Sequence, residues 1–374
     1  QGALWTSEAL LMDTVTVVGA GAGSGKTHSI AEYVAEMVVV GLDPAKILAT
    51  TFTRKAAAEL KDRIQGRLLS EERLAPDERI AKAARLDLAA IGTVHSIGYQ
   101  LVHRYAIRLG LSPELRVIEE EASKRLLQEV LGQVNLPSLD KMSAVWNRLD
   151  QEEPGKIALQ LLEKKRGNLI SDEDFRTQML EGVDTLCGLL SPEGTIQIND
   201  PLRVLYSLGK QALHTIRTFE DDTKVTQECI QKLNRLVNAR TRVWRDFLTA
   251  SRLKAAKTSG ANDCLQDLRA FAAQIRRIHG LHSDLQTFVP YLIDLTLALE
   301  QAYTRHKQER GLMDFTDLEV EFLRLLENEN IRAGLRSEIE VVVVDEFQDT
   351  NPIQLALFQS LADFAEECRC LLYT

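Results

Sequence analysis

At 374 residues, the chain is long enough for two or three domains. Hydrophobic residues make up 45% of it and charged residues 26%, which excludes a disordered or low-complexity chain. The net charge of -9 excludes a protein that is basic over its whole surface, so any contact with nucleic acid has to be local. The five cysteines are scattered, and no apolar run approaches the ~20 residues that span a bilayer. We therefore expect a cytoplasmic protein without a membrane segment.

The first part of the chain, residues 1–111, alternates between strand patterns and helix patterns. The predicted strands are Val15 to Val18, Ile47 to Thr51 and Ile91 to Val94, and the predicted helices run from Lys26 to about Val39, from Lys55 to Ile64, and from the third strand to about Leu109. Strands that alternate with helices pair in parallel. The pattern therefore predicts an α/β domain with a parallel sheet.

A glycine-rich segment connects the first predicted strand to the first predicted helix. Its residues are Ala20, Gly21, Ala22, Gly23, Ser24, Gly25, Lys26 and Thr27. Such a loop turns its backbone N–H groups around phosphates, and the helix N-terminus adds positive potential. Lys26 is predicted to reach the β- and γ-phosphates of ATP, and Thr27 to bind Mg²⁺ through its hydroxyl. The strict pattern has glycine where Ala20 stands, and a glycine-rich turn without a ligand is the alternative.

The character of the chain changes at about Ser112. From there to Tyr303 it is charged, rich in leucine and helical in period, without a detectable repeat. We predict a helical insertion over residues 112–303. Residues 304–374 then return to the α/β domain, which the insertion splits into two parts.

The most basic window of this acidic chain lies in the predicted insertion. Between Lys232 and Lys257 there are eight basic residues against one acid, Asp246. A continuous helix would align four arginines on one side, opposite an apolar side. The arginines are Arg235, Arg242, Arg245 and Arg252, and the apolar residues are Leu236, Val237, Trp244, Phe247 and Leu248. Two interpretations stay open: a solvated face, or a surface on which Arg242 and Arg245 bind DNA phosphates.

The last predicted strand carries two neighbouring acids at its end. Val341 to Val344 is a continuous valine run, which indicates a parallel strand buried on both faces. Asp345 and Glu346 follow it, where ligands of parallel sheets bind. Asp345 is predicted to hold Mg²⁺, and Glu346 to accept the proton of the attacking water. Two acids after one strand are a weak signal alone, because acids often begin loops.

Four segments in this order resemble motifs of the UvrD/Rep-type superfamily 1 helicases. They are residues 20–27, the segment from Thr51 to Ile64, Gly92-Thr-Val-His95, and Asp345-Glu-Phe-Gln-Asp-Thr350. Met313-Asp-Phe315 also resembles a short family motif, although we assign no chemistry to Asp314. The residues that flank these motifs look most similar to those of the RecB/AddA-like branch of the family.

The resemblance implies a RecA-like P-loop domain that uses ATP and Mg²⁺ to travel 3'-to-5' on single-stranded DNA and to unwind duplex junctions. It implies that Phe52, Thr53, Thr93 and His95 contact the single strand, where an aromatic ring such as Phe52 stacks on a base without reading sequence. Gln348 matches a family position near the γ-phosphate. From the residues alone, Phe52 could equally belong to a core and His95 to a helix start.

The sequence departs from the family pattern at two places. Only Gln1 precedes the phosphate loop, which is too far away for the glutamine that recognises adenine in the family. The Gly-Asp-x-x-Gln segment expected after the carboxylates is missing before Thr374. We therefore expect a truncated reading frame, with a second RecA-like domain and its arginines beyond it. On that expectation, this chain alone binds MgATP but hydrolyses it poorly.

Two alternatives to a plain helicase remain. The chain is either the motor of a helicase-nuclease, which works with a nuclease domain or a partner subunit, or a clamp that uses ATP to bind DNA without unwinding it. Retention of Glu346 argues against the clamp, because a clamp has no need of a catalytic base.

Overall fold

The computed structural model describes residues 16–18, 26–134, 139–150, 153–256, 260–345, 350–362 and 369–373. The fold is α/β, mostly helical, with parallel sheets, as the sequence predicted. The strands are β1 (Thr16–Val18), β2 (Ile47–Thr51), β3 (Ala90–Thr93), β4 (Arg116–Val117), β5 (Leu312–Met313), β6 (Val341–Val344) and β7 (Arg369–Tyr373).

Five of these strands form one parallel sheet, in the order β1-β7-β6-β2-β3. In the register between β6 and β2, Val341 pairs with Ile47 and Val344 with Thr50. Strands β4 and β5 form a separate parallel pair. Strand β4 lies inside the segment predicted to be all-helical, and that prediction is wrong here. Two residues paired with a strand almost two hundred positions away give no local signal.

The helices of the described chain follow in order. They are α1 (Lys26–Val40), α2 (Arg54–Leu69), α3 (Pro76–Arg85), α4 (Val94–Arg104), α5 (Ala106–Leu109), α6 (Glu120–Leu131), α7 (Leu139–Leu149), α8 (Pro154–Gly167), α9 (Asp172–Leu190), α10 (Pro201–Arg217), α11 (Lys224–Val237), α12 (Arg245–Ser251), α13 (Gln266–Ala272), α14 (His279–Glu309), α15 (Phe315–Glu327), α16 (Glu329–Glu338) and α17 (Pro352–Ala362). None of the helices among the described residues has the length and apolar character needed to cross a bilayer.

The central strands explain why the valine run was recognisable. All residues of β2 and β6 are buried, because their side chains alternate between two apolar layers. Val341 and Val343 pack with α1 and α2, whereas Val342 and Val344 pack with α4, α15 and α17. Helices on both faces of the sheet leave its strand ends accessible, which is where the predicted motifs lie.

The chain divides into two compact units. Unit 1 comprises residues 1–125, 166–169 and 305–374, and unit 2 comprises residues 126–165 and 170–304. The first boundary lies later than the predicted residue 111, because β4 pairs with β5 in unit 1. Within unit 2, the described core falls into three apolar clusters, of which the largest joins α10, α11, α12 and α13.

Candidate functional site

The carboxyl ends of the parallel strands lie at one edge of the unit 1 sheet. β2 ends at Thr51, β3 at Thr93 and β6 at Val344, so the residues that follow them come together. Two neighbouring cavities at this edge share three lining residues, Phe52, Thr93 and His95. Three segments separated by long stretches of sequence therefore meet at one edge.

The predicted phosphate loop is only partly described. Ala20, Gly21, Ala22, Gly23, Ser24 and Gly25 lie outside the described residues. On either side, β1 ends at Val18 and α1 begins at Lys26, so the predicted strand before the segment and the predicted helix after it are confirmed. Thr27 is half-buried in the first turn of α1. The free N–H groups of a helix N-terminus favour anions at this position.

Asp345 is held at the end of β6. Its side chain is buried, and its backbone N–H donates to the carbonyl of Thr50 at 2.9 Å. It lines a cavity of about 150 Å³ together with Thr50 and Thr51. A carboxylate with nearby hydroxyls is the oxygen-rich donor set that a hard cation such as Mg²⁺ prefers, so the residues present fit that ion. Glu346 and Gln348 lie outside the described residues.

An open cleft of about 750 Å³ lies next to this cavity. Phe52 and Tyr99 line it, and they are 70% and 43% exposed. This exposure decides that Phe52 does not belong to the core. Arg54 and Arg116 also line the cleft and are exposed. Two exposed aromatic side chains beside two cations can stack with bases and neutralise phosphates.

Thr53 and Thr93 are the N-caps of the helices that start at this edge. The Thr53 hydroxyl accepts a hydrogen bond from the N–H of Ala56 at 3.0 Å, and that of Thr93 from the N–H of Ser96 at 3.2 Å. Each cap satisfies an N–H group in the first helical turn. Both threonines therefore fix where α2 and α4 begin, and so where their first side chains lie.

His95 is held by two contacts. Its ring stacks on Phe315, with centroids 4.4 Å apart and planes 15° from parallel. Its Nε2 lies 3.0 Å from Oε1 of Glu319 in α15. Glu319 is 4% exposed and also accepts hydrogen bonds from the side-chain amides of Gln354 at 2.7 Å and Asn351 at 3.4 Å. His95 therefore belongs to a polar network around the buried carboxylate of Glu319, and it also lines both cavities.

Asp314 starts α15 as its N-cap and forms a capping box with Asp317. Asp314 is 3% exposed, and its carboxylate forms ion pairs with Arg166 at 2.8 Å and Lys307 at 3.0 Å. Burial raises the pKa of Asp314, but the hydrogen bonds and charge of Arg166 and the charge of Lys307 outweigh burial, so the pKa lies below its usual range. These contacts give Asp314 a structural role: they hold the start of the helix that carries Phe315 and Glu319.

The basic window of unit 2 does not form the predicted continuous helix. α11 ends at Val237 and α12 begins at Arg245, so Arg235 and Arg242 do not share a helix face. The break lets the buried Trp244 donate its indole N–H to Asp284 at 2.8 Å, while its backbone N–H donates to the carbonyl of Arg148. A buried indole needs such a partner, and helical periodicity does not reveal it.

Burial of the apolar residues in this window agrees only partly with the prediction. Leu236, Trp244 and Phe247 are buried as predicted, but Leu248 is 45% exposed. Arg242 lies over the ring of Tyr206, 4.9 Å from its centroid, and Arg245 pairs with Asp150 at 2.8 Å. Both arginines are exposed, so their positive charge remains at the surface.

A sequence model of the UvrD/REP helicase N-terminal domain matches residues 6–371. The chain belongs to this family. It is 26% identical to an ATP-dependent helicase/nuclease subunit from Heliobacterium modesticaldum, covering 92% of this chain and 30% of that protein. Subunits of the same name from Pediococcus pentosaceus and Ligilactobacillus salivarius are 24% and 25% identical, each over 92% of this chain and 32% of the relative.

These similarities confirm the predicted family and its RecB/AddA-like branch. The chain spans about a third of the length of these curated relatives. All three of these relatives carry both a helicase and a nuclease in their names, which separates them from plain helicases.

Among the residues at the site of this UvrD/REP helicase domain that were not predicted from the sequence are Tyr99, Arg116 and Glu319. Tyr99 follows His95 by one helical turn, so helical spacing on α4 could have identified it. Arg116 comes from β4, and Glu319 is 224 positions from His95. Only the folded topology brings these two to the edge.

Proposed function

We propose that the chain is the ATP-binding part of a DNA motor that couples ATP hydrolysis to movement along single-stranded DNA and to unwinding of duplex junctions. Unit 1 serves as a RecA-like P-loop domain, and unit 2 as a helical insertion in it. The observation that carries the proposal is the meeting of Asp345, Phe52 and His95 at one edge of a parallel sheet. Family membership supports it.

On the nucleotide side, the loop of residues 20–25 and the N-terminus of α1 bind the phosphates. Lys26 pairs with the β- and γ-phosphates, and Gln348 lies near the γ-phosphate. Thr27 and Asp345 provide oxygen ligands for Mg²⁺. Glu346 takes the proton of the attacking water. Bound MgATP supplies the phosphoryl group and the charge neutralisation that the transfer needs.

On the DNA side, the open cleft lined by Phe52 and Tyr99, called the aromatic cleft from here on, holds the single strand. Phe52 stacks on a base, and Thr53, Thr93 and His95 contact the strand where α2 and α4 begin. The 3'-to-5' direction of travel follows from the family resemblance alone. The exposed Arg242 and Arg245 of unit 2 give a second contact with DNA phosphates, sequence-independent and sensitive to salt.

A second candidate function is the motor of a helicase-nuclease. The names of the relatives favour it, since each is an ATP-dependent helicase/nuclease subunit. In that case the motor feeds DNA to a nuclease domain or works with a partner protein. Nuclease assays on the encoded protein, alone and with partners that copurify with it, distinguish this function from a plain helicase.

The test of the motor is Glu346→Gln in the encoded protein. We expect the variant to retain ATP binding and to lose ATP turnover and unwinding, because the amide cannot take a proton from water. Glu340→Gln is the matched control. Glu340 lies immediately before the first residue of β6, at the opposite end of the strand from Glu346, and forms an ion pair with Lys46. Partial duplexes with either a 3' or a 5' single-stranded tail measure the direction of travel.

Two results would contradict the proposal. Unwinding by Glu346→Gln at the normal rate would remove Glu346 from the role of base. A wild-type protein that binds ATP and DNA but neither hydrolyses nor unwinds would instead be the ATP-dependent clamp.

A further inference from the structure

Glu319 lies behind the candidate site and touches both of its parts. This residue of α15 is 4% exposed, and its carboxylate accepts hydrogen bonds from three side chains. One donor is His95, which lines both the aromatic cleft and the small cavity. The other two, Asn351 and Gln354, stand at the start of α17, in the segment that follows the Asp345 carboxylate motif. Gln354 lines the small cavity together with Asp345.

The neighbouring groups require an acceptor at this position. The Asn351 side-chain oxygen accepts from the backbone N–H of Gln354 at 2.7 Å, so its NH₂ group must face Glu319. Gln354 and His95 both point at Oε1. An ionised carboxylate accepts at both oxygens, whereas a glutamine would set its own NH₂ group against one of these donors. The three hydrogen bonds therefore need glutamate itself.

The same contact determines which nitrogen of His95 carries a proton. Because Glu319 only accepts, Nε2 of His95 is the donor, and Nδ1 is the remaining ring nitrogen. Phe315 stacks on the ring and restricts its tilt. The orientation of a side chain at the cleft is thus fixed by a residue that itself does not line the cleft.

We propose that Glu319 is a positioning residue that couples the DNA cleft to the ATP site, an inference that rests on the proposed function. When DNA moves His95, the shared carboxylate transmits the shift to Asn351 and Gln354, and Gln354 lines the small cavity together with Asp345. Buried polar networks suit this task, because every partner of a buried carboxylate is costly to lose.

The test measures ATP turnover by the encoded protein with and without saturating oligothymidylate. In Glu319→Gln, we expect the ratio of the two rates to fall about tenfold, a typical size for coupling between sites. Glu327→Gln is the matched control, because Glu327 is an exposed glutamate on the same helix. We expect this control to keep the wild-type ratio.

The outcomes separate coupling from stability and from the proposed function. An unchanged ratio in Glu319→Gln overturns the inference even if both rates fall, since a structural defect lowers the two rates together. Absence of any DNA stimulation in the wild type overturns the proposed function instead.

A second variant keeps the test decisive if Glu319→Gln does not fold. Gln354→Met retains the shape of the side chain but removes one donor to Glu319. We expect a smaller fall of the ratio in the same direction, and a wild-type ratio overturns the inference. Where both variants fold, the double variant should lose no more than Glu319→Gln alone, because both changes act through one carboxylate. If the losses of DNA stimulation in the two single variants add up in the double variant, the two residues do not act through the same carboxylate.

Discussion

In unit 1, backbone pairing fixes the positions of the candidate site residues, whereas in unit 2 the exposed arginines depend on local side-chain contacts. Phe52, His95 and Asp345 each follow a paired strand, so the register of the sheet determines where they lie. Arg242 and Arg245 stand in a helix break and at the start of a seven-residue helix, held by Tyr206 and Asp150.

This difference shows which kind of site a sequence pattern can locate. A residue at the end of a buried strand has one position, set by many backbone hydrogen bonds. An exposed arginine has a flexible stem and contributes little by its ion pairs, so its position is not fixed in the same way. We therefore expect strong, specific effects at the sheet edge and small, additive effects in the basic window.

The largest expected effect on stability comes from Arg166→Met. The change leaves Asp314 buried with Lys307 as its remaining cation partner, and removing one partner of a buried ion pair costs ~3 kcal/mol or more. Urea unfolding at pH 7 measures the loss. Arg104→Met is the control, since Arg104 and Glu338 form an exposed pair that contributes less than ~1 kcal/mol. Equal losses in the two variants would contradict the structural role of the cluster.

The same cluster predicts a pH dependence. The folded pKa of Asp314 lies below its usual value, so its stabilising contribution is complete at neutral pH. This contribution begins to disappear as the pH falls below ~4, the ordinary pKa of aspartate, and decreases further toward the folded pKa. The stability difference between wild type and Arg166→Met should therefore narrow as unfolding is measured at pH 4 and then at pH 3.

Residues of the site that follow a local sequence pattern were predictable, and residues placed by contacts distant in the sequence were not. The strand Val341–Val344 and Asp345 at its end were predictable, because burial on both faces of a strand leaves a local pattern. Phe52 and His95 were predicted only through the family resemblance, since their local pattern fitted a core residue and a helix start equally well. Glu319 and Arg116 were not predictable, since their partners lie far away in the sequence. The functional roles assigned to the site residues all stay predictions, and Glu346, Gln348 and residues 20–25 also lie outside the described residues.

In the basic window, by contrast, a clear local pattern led to a wrong prediction, because the helix breaks before α12 where a continuous helix was expected. The spacing of the arginines fitted a helix, but the buried Trp244 needed the carboxylate of Asp284 and the carbonyl of Arg148. Helical periodicity indicates which residues are apolar. It does not indicate that a residue counted as apolar, such as Trp244, carries an N–H group that needs a hydrogen-bond partner when buried.

A medium effect is expected at the aromatic cleft. Phe52→Ala and Tyr99→Ala should each weaken binding of single-stranded DNA about tenfold, since stacking on a base contributes ~1–3 kcal/mol. Phe219→Ala is the control, because Phe219 is exposed but does not line the cleft. Fluorescence anisotropy with a labelled oligothymidylate measures affinity. If Tyr99→Ala binds like wild type, the stacking platform is reduced to Phe52.

The smallest expected effect is in the basic window. Arg242→Gln combined with Arg245→Gln removes two exposed charges, and each lost phosphate contact lowers the slope of log affinity against log salt by ~0.7 on single strands. The slope should therefore fall by ~1.4, whereas Arg176→Gln, which breaks an exposed pair with Asp294, should leave it unchanged. An unaltered slope in the double variant would assign both arginines to a solvated face. The aromatic cleft of unit 1 would then hold the only DNA contacts proposed for the chain, and unit 2 would have none.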